Sequence, residues 1–226
     1  MTTTAHPVAL RLFRPLGSSY ERWASVLSMG QDGRWREAMV EALDVGPGHR
    51  VLDVAAGTGS ITRLVAAKGA RVVSLDQSDQ MLEQAVARGA TGVRATAEVL
   101  PFPDESFDRV TFGYLLRYVA NVPAALLELA RVLRPGGRIG MVEFGRPGGV
   151  WGPPWWLYTR VGLPVAGTMI GGGWKEVGSF LGPSIDRFAK EWPTERLVEA
   201  WRRTGLRDVT VERPSLGGGL LMWASK

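Results

Sequence analysis

Gly57-Thr58-Gly59 and Asp76 are the residues whose types and spacing most directly suggest chemistry. The glycines follow a short apolar run, Val51-Leu52-Asp53-Val54, and Asp76 closes the next such run, about twenty residues further on. Apolar β-branched residues, a small-residue loop from Ala55 to Gly59 and a helical pattern from Ser60 read as a buried strand, a tight turn and a helix. Glycines there let the backbone adopt positive φ and bring bare N–H groups close to a ligand. The helix N-terminus favours a polar or anionic group at the same place. An acid at the end of the following strand is suited to accept hydrogen bonds from ribose hydroxyls, so the ligand is of nucleotide type.

A dinucleotide fingerprint would need a third glycine at position 62, where Thr62 stands, and a phosphate-binding P-loop would need Lys-Ser/Thr where Ser60-Ile61 stands. Asp53 inside the strand and Ala55-x-Gly57-Thr58-Gly59 in the turn instead resemble motif I of the class I S-adenosylmethionine methyltransferases. The resemblance implies S-adenosylmethionine as cofactor, with S-adenosylhomocysteine as its product.

These residues must be held by alternating strands and helices. After Arg71–Asp76 come a helix over Met81–Arg88 capped by Ser78 or Asp79, a short strand at Val93–Ala95 and a fourth strand at Phe107–Phe112. A helix over Pro123–Leu133, a sharp turn at Arg134-Pro135-Gly136-Gly137 and a fifth strand over Arg138–Phe144 continue the rhythm. Thr194–Thr204 reads as an amphipathic helix capped by Thr194, and Asp208–Glu212 with Leu220–Trp223 as a closing hairpin. The pattern predicts an α/β, doubly wound, mostly parallel seven-stranded Rossmann-like sheet with helices on both faces and an antiparallel last strand.

The 226 residues are divided here as one domain: a helical lid over 7–45, a cofactor-binding core over 46–144, an inserted segment over 145–192 facing substrate or membrane, and a closing helix and hairpin over 193–226. Within 7–45, apolar residues including Phe13, Tyr20, Trp23, Trp35 and Met39 recur at three- and four-residue spacings, punctuated by Gly17, Gly30, Gly33 and Gly46. Such a segment can fold over the carboxyl edge of the sheet.

With no cysteine, disulfides, thiolate metal sites and a thiol nucleophile are excluded. With only His6 and His49, neither a histidine metal site nor a Ser-His-Asp triad is expected, and no metal is expected at all. The net charge of +5 is spread and interleaved with acids, as in Glu195-Arg196 and Arg207-Asp208, unlike a nucleic-acid patch, so no nucleic-acid partner is expected. No apolar run reaches membrane-spanning length and the N-terminus lacks a signal-peptide core, which reads as cytoplasmic. There is no internal repeat and no low-complexity tail.

From Pro147 to Trp174 only Arg160 is charged among 28 residues, while twelve are Pro or Gly, and Trp151, Trp155, Trp156 and Trp174 fall in the same stretch. So many helix breakers rule out a spanning helix, whereas tryptophan and tyrosine suit the bilayer interface. Contact with the inner face of a membrane, or with a lipid-like substrate, is the expectation; packing over the domain's own core is the other reading.

Three further motifs extend the resemblance over nearly the whole chain. They are Ala97-Glu98-x-Leu100-Pro101-Phe102-Pro103-Asp104-x-x-Phe107-Asp108, Leu133-Arg134-Pro135-Gly136-Gly137-Arg138, and Glu143-Phe144 with the pair Leu116-Arg117. With motif I they resemble the ubiquinone/menaquinone biosynthesis C-methyltransferases. By position, the resemblance implies Asp53, Ala55, Gly57, Thr58, Gly59, Asp76, Gln77, Thr96, Ala97, Gly113 and Tyr20 as the cofactor-binding set. Within it Thr58 and Gly59 meet the methionine part, Asp76 the ribose, and Thr96 and Ala97 the adenine. Gly113 stands where the family often carries a serine.

On the acceptor side the chain departs from the family. The family's Arg-Asn pair reads Arg117-Tyr118, its Ser-Ile-Arg reads Ser184-Ile185-Asp186, and the histidine of its last strand is replaced near Trp223. Arg117, Tyr118 and Asp186 are the candidate catalytic residues, Arg117 stabilising a phenolate or holding a water that takes the proton. Phe13, Trp23, Tyr114 and Trp155 are expected to wall the acceptor pocket, with Tyr20 beside them. The implied acceptor is a prenylated quinol. An O- or N-methyltransferase on another lipid-like aromatic, and a cofactor-binding protein without turnover, stay open, as does a homodimer.

Overall fold

The computed structural model describes Leu12, Leu16 and residues 20–226. Phe13 lies outside the described residues, as does the side chain of Tyr20.

Two helices, α1 (Tyr20–Leu27) and α2 (Gln31–Ala42), precede β1 (Arg50–Val54). Then α3 (Ser60–Ala67), β2 (Arg71–Asp76), α4 (Asp79–Val86), β3 (Thr91–Arg94), β4 (Phe107–Gly113), α5 (Val122–Val132) and β5 (Leu133–Phe144) alternate as the sequence pattern predicts. The sheet has seven strands in the order β3-β2-β1-β4-β5-β7-β6, closed by β6 (Arg207–Glu212) and β7 (Gly219–Ser225). β1 pairs in parallel with β2 and β4, and β7 inserts antiparallel between β5 and β6. The strand order therefore reverses between β1 and β4, the position where ligands bind in open α/β sheets.

The period of two along a strand divides the core between the two faces. Leu52, Val54, Val110, Phe112, Ile139 and Met141 point to one face, where α5 and the helix α9 (Thr194–Arg203) supply Leu126, Leu129, Leu197 and Trp201. Val51, Val72, Val142 and Leu221 point to the other, against Trp35, Met39 and Leu43 from the α2 region and Ile61 and Val65 of α3.

Arg134-Pro135-Gly136-Gly137 is not a turn ahead of β5, which already begins at Leu133. Phe107 pairs with Leu133 and Arg109 with Arg138, so four residues are accommodated as a bulge within one strand. It is tied at the sheet end by Gly136 N–H donating to the Lys226 carbonyl at 2.8 Å. Ser78, not Asp79, caps α4, accepting from Met81 N–H at 3.4 Å. Thr194 is the first residue of α9 rather than its cap, a place taken by Pro193.

The largest difference is the Trp-, Pro- and Gly-rich segment, which is almost wholly helical: α6 (Gly152–Leu157), a π-turn over Tyr158–Gly162, α7 (Leu163–Ile170) and α8 (Trp174–Glu191). Pro153, Pro154 and Pro164 sit in first turns, where no backbone donor is lost, whereas Pro147 precedes the helices and Pro183 lies inside α8. Gly167 and Gly178 serve close helix packing, since a Cβ on them would lie 2.3 Å from the Trp174 carbonyl oxygen and 2.4 Å from that of Leu163. None of the described helices is long and apolar enough to cross a membrane.

Trp201 is fully buried against Phe112. Trp201→Ala should lower unfolding free energy in urea by about 3–5 kcal/mol, whereas Leu127→Ala on the exposed side of α5 should change it by less than about 0.5 kcal/mol.

Candidate active site

The carboxyl ends of β1, β2 and β4 open into a cavity of about 460 Å³. One end is lined by Ala55, Gly57, Thr58, Asp76, Gln77 and Ala97, and the middle by Asp32, Arg36, Tyr114, Arg117, Tyr118 and Phe144. Trp151, Pro154, Trp155 and Tyr158 line the far side.

The nucleotide-type end is built by hydrogen bonds between the two strand ends. Gly57 N–H donates to Asp76 Oδ2 at 2.8 Å, and Ser78 N–H to Asp76 Oδ1 at 2.9 Å. Burial pushes the Asp76 carboxyl above its ordinary value, against backbone hydrogen bonds from Ser78, Gly57 and Gln77. Gly59 is required twice over: its φ is +84°, and a Cβ there would lie 2.8 Å from the Ala85 Cα. A bare loop of this shape, with a strand-end carboxylate beside it, fits the amino-acid and ribose portions of S-adenosylmethionine.

Asp53 faces the other way. It is fully buried beneath the loop, accepting from Thr62 Oγ1 at 2.7 Å and Thr111 Oγ1 at 3.0 Å, which places it as a support of the sheet rather than in the lining. Burial raises its carboxyl to about 6 despite those bonds and the charge of Arg36. Gly113 lines the cavity through its backbone, while Thr96 and Gly59 stand outside the lining.

In the middle of the cavity, Arg117 donates from Nε to Glu143 Oε1 at 2.8 Å, both side chains being almost fully buried. Burial opposes charge on Arg117, but the Glu143 carboxylate outweighs it and holds the guanidinium charged; burial also lifts the Tyr118 hydroxyl. The guanidinium sits 5.1 Å from the Tyr118 ring, 5.3 Å from Phe144 and 6.0 Å from Tyr114, an aromatic cage around a cation. Glu143, which carries this arrangement, was legible in sequence only as part of a motif.

Two of the expected acceptor-side residues lie elsewhere. Asp186 is on α8, paired with Arg160 at 2.6 Å and Arg146 at 3.4 Å, and away from the cavity lining; its neighbour Ile185 takes that place. Helical geometry turns successive residues by about 100°, so only one of the two can face inward. Trp23 packs with Leu16, Trp174 and Val177 in a satellite cluster instead of the lining. Asp32 and Arg36 were not expected, because in sequence they look like the solvated face of an amphipathic helix.

The fold, glycine loop and strand-end acid define an S-adenosylmethionine-dependent methyltransferase of class I architecture. The ubiE/COQ5 methyltransferase family model matches residues 2–225, and the chain belongs to that family. It is 38% identical over 195 residues to a demethylmenaquinone methyltransferase of Tropheryma whipplei, covering 84% of this chain and 76% of that one. A Mycobacterium tuberculosis protein of the same name is 46% identical over 136 residues, 60% of this chain and 58% of that one. Among solved structures, a Thermotoga maritima SAM-dependent methyltransferase, described as a possible histamine N-methyltransferase, superposes with a TM-score of 0.65 at 20% identity, covering 96% of this chain and 98% of that one. Haemonchus contortus phosphoethanolamine N-methyltransferase 2 in complex with S-adenosyl-L-methionine gives 0.61 at 16% identity, over 85% of this chain and 52% of that one.

Glu21 of α1 fastens the N-terminal helices to the loop. Its carboxylate accepts from Thr58 Oγ1 and Ser60 Oγ at 2.6 Å each and pairs with both Arg88 nitrogens at 2.7 Å. Burial raises this carboxyl, but hydrogen bonds from Arg88, Ser60 and Thr58 and the Arg88 charge outweigh it, bringing it from 4.5 to about 2. A lowered acid contributes fully above its unfolded value and loses that contribution as pH falls through its folded one. Amide exchange of α1, corrected for intrinsic rates, should therefore quicken between pH 4.5 and about 2, and Glu21→Gln should show the faster exchange already at neutral pH.

Proposed function

We propose that this methyltransferase methylates a ring carbon of a prenylated, demethylmenaquinol-like quinol drawn from a membrane surface. The observation that carries this reading is the continuity of the cavity: a cofactor-shaped polar end, a caged cation, and an apolar far end surrounded by exposed Val150, Trp151, Trp156 and Leu157. The names of the Tropheryma and Mycobacterium relatives support the acceptor class.

Gly57, Thr58, Asp76, Gln77 and Ala97 would hold S-adenosylmethionine. When bound, the cofactor supplies an electrophilic sulfonium methyl group. The protein's work is then to align the acceptor ring, exclude water and favour its phenolate form. Arg117, kept charged by Glu143 and close to the rings of Tyr114, Tyr118 and Phe144, stabilises negative charge on a ring oxygen placed in the cage. Tyr118 and Phe144 offer flat apolar contact to the acceptor, and Trp155 and Tyr158 continue it toward a tail. Asp186 holds α8 to Arg146 and Arg160.

Exposed Val161, Val165 and Met169 extend the apolar surface along the π-turn and α7, next to the cavity mouth. Apolar and tryptophan side chains there, with a positive net charge, suit shallow insertion into an anionic bilayer face. No metal enters this scheme.

Transfer of labelled methyl from S-adenosylmethionine into a quinol-containing membrane extract, followed by chromatography of the lipids, tests the acceptor. Label is expected in a menaquinone-type band; label confined to other lipids would overturn the quinol reading. Arg117→Ala should lower kcat by about 10²-fold, and full turnover by this variant would remove the role assigned to Arg117. In vesicle flotation, Trp155→Ala combined with Trp156→Ala should release the protein from anionic liposomes.

A further inference from the structure

Beside Arg117, whose cage includes the Tyr114 ring, the cavity wall holds a second polar group, the Tyr114 hydroxyl on Asp32. Tyr114 follows the last residue of β4 with a φ of +54°, a left-handed conformation that costs a non-glycine residue energy. Its N–H is held by the Val142 carbonyl at 2.8 Å, and its ring stacks on Phe144 with centroids 4.7 Å apart. This places the phenol edge in the cavity and its hydroxyl on Asp32 Oδ1. Asp32 is 6% exposed, and its Oδ2 pairs with Arg36 one turn along α2. The Arg36 guanidinium lies over the Tyr114 ring at 5.4 Å.

Asp32 and Arg36 line two spaces at once. One is the main cavity; the other is a polar cleft of about 180 Å³, also lined by Glu21, Glu37, Ser60 and Arg63. Asp32 thus stands between the reaction space and a second, polar opening.

We propose that Asp32, acting through the Tyr114 phenol, takes the proton from the hydroxyl of the methyl-accepting ring. The inference rests on the quinol reading. The ring O–H bond breaks and its electron pair stays on the ring oxygen, from which it is delocalised onto the neighbouring carbon. The proton passes to Tyr114 Oη as the Tyr114 hydroxyl proton passes to Asp32, which becomes the neutral acid. Asp32 then returns that proton to water through the outer cleft, which restores the starting state. Tyr114 touches the acceptor; Asp32 is the positioning residue and proton sink behind it.

Among the described residues, the charged and titratable groups lining these two spaces with Asp32 include Arg36 and Glu37 on α2, Glu21 on α1, Arg63 on α3, Asp76 at the end of β2, Tyr114, Arg117 and Tyr118 beyond β4, and Tyr158 of the π-turn. Asp53 lies beneath, within reach of the Arg36 charge. A purely structural ion pair fastening α2 to the site would have the same static appearance, so the test must separate fastening from proton transfer.

Full-length wild type, Asp32→Asn and Tyr114→Phe are compared by steady-state methyl transfer to a demethylmenaquinol from pH 6 to 10. At pH 7 the expected loss in kcat is about 10²-fold for each variant, with KM within about threefold of wild type. That loss should shrink by about tenfold per pH unit and vanish near pH 9, as the acceptor hydroxyl, with an ordinary phenol value near 10, increasingly ionises unaided. S-adenosylhomocysteine affinity by calorimetry should be unchanged in both variants. A loss constant across pH, or one residing wholly in KM, would overturn the proposal. Should Asp32→Asn not fold, Tyr114→Phe, which keeps the ring and its stack, carries the same two outcomes. Absence of quinol methylation by wild type would sink the acceptor reading together with this one, whereas wild-type turnover with a pH-independent variant loss sinks this one alone.

Discussion

A strand buried on both faces must be covered on both, and β1 imposes that condition on the rest of the chain. Val51 faces the layer of α2 and α3, while Leu52 and Val54 face that of α5 and α9. Asp53 is the polar interruption, and the Thr62 and Thr111 hydroxyls answer it from the adjacent helix and strand. Removing a carboxylate from water is unfavourable unless donors replace that water, so these threonines are constrained by Asp53 as firmly as by packing. The chain leaving β1 emerges at the carboxyl edge between the two layers. There Gly57 meets Asp76, and the ends of β1 and β2 become one side of a cavity.

The two ends of that cavity differ in kind. Its cofactor side is made of backbone donors, a buried acid and the Glu21 contacts that bring α1 onto the loop. Its far side is made of tryptophan, proline and tyrosine from a segment whose outer surface is also apolar. Between them lie two ionic pairs, Arg117–Glu143 and Arg36–Asp32, both with a guanidinium near the Tyr114 ring. Burial of both pairs among aromatic rings raises the weight of each of those charges relative to water.

Element type and order were legible because hydrophobic periodicity and glycine punctuation are local properties. They failed where local cues competed. Prolines that merely occupy first turns disguised α6 and α7, and Arg134–Gly137, which looks like a turn, is absorbed as a bulge because both flanks pair with β4. The glycine loop and Asp76 were legible because backbone geometry and strand-end position are tied directly to sequence spacing.

The sequence by itself determined the sheet, the family and the placement of the glycine loop beside Asp76, since each follows from short-range pattern. Only the tertiary structure decided which acceptor-side residues share the cavity. It turned Asp186 toward Arg160, packed half-buried Trp23 against a satellite cluster, and brought Asp32 from α2 against Tyr114 at the end of β4, 82 positions away. Contacts of that kind depend on helix rotation and layer packing, in which one residue's step along a helix turns a side chain by about 100°, and no local pattern in the chain encodes the outcome.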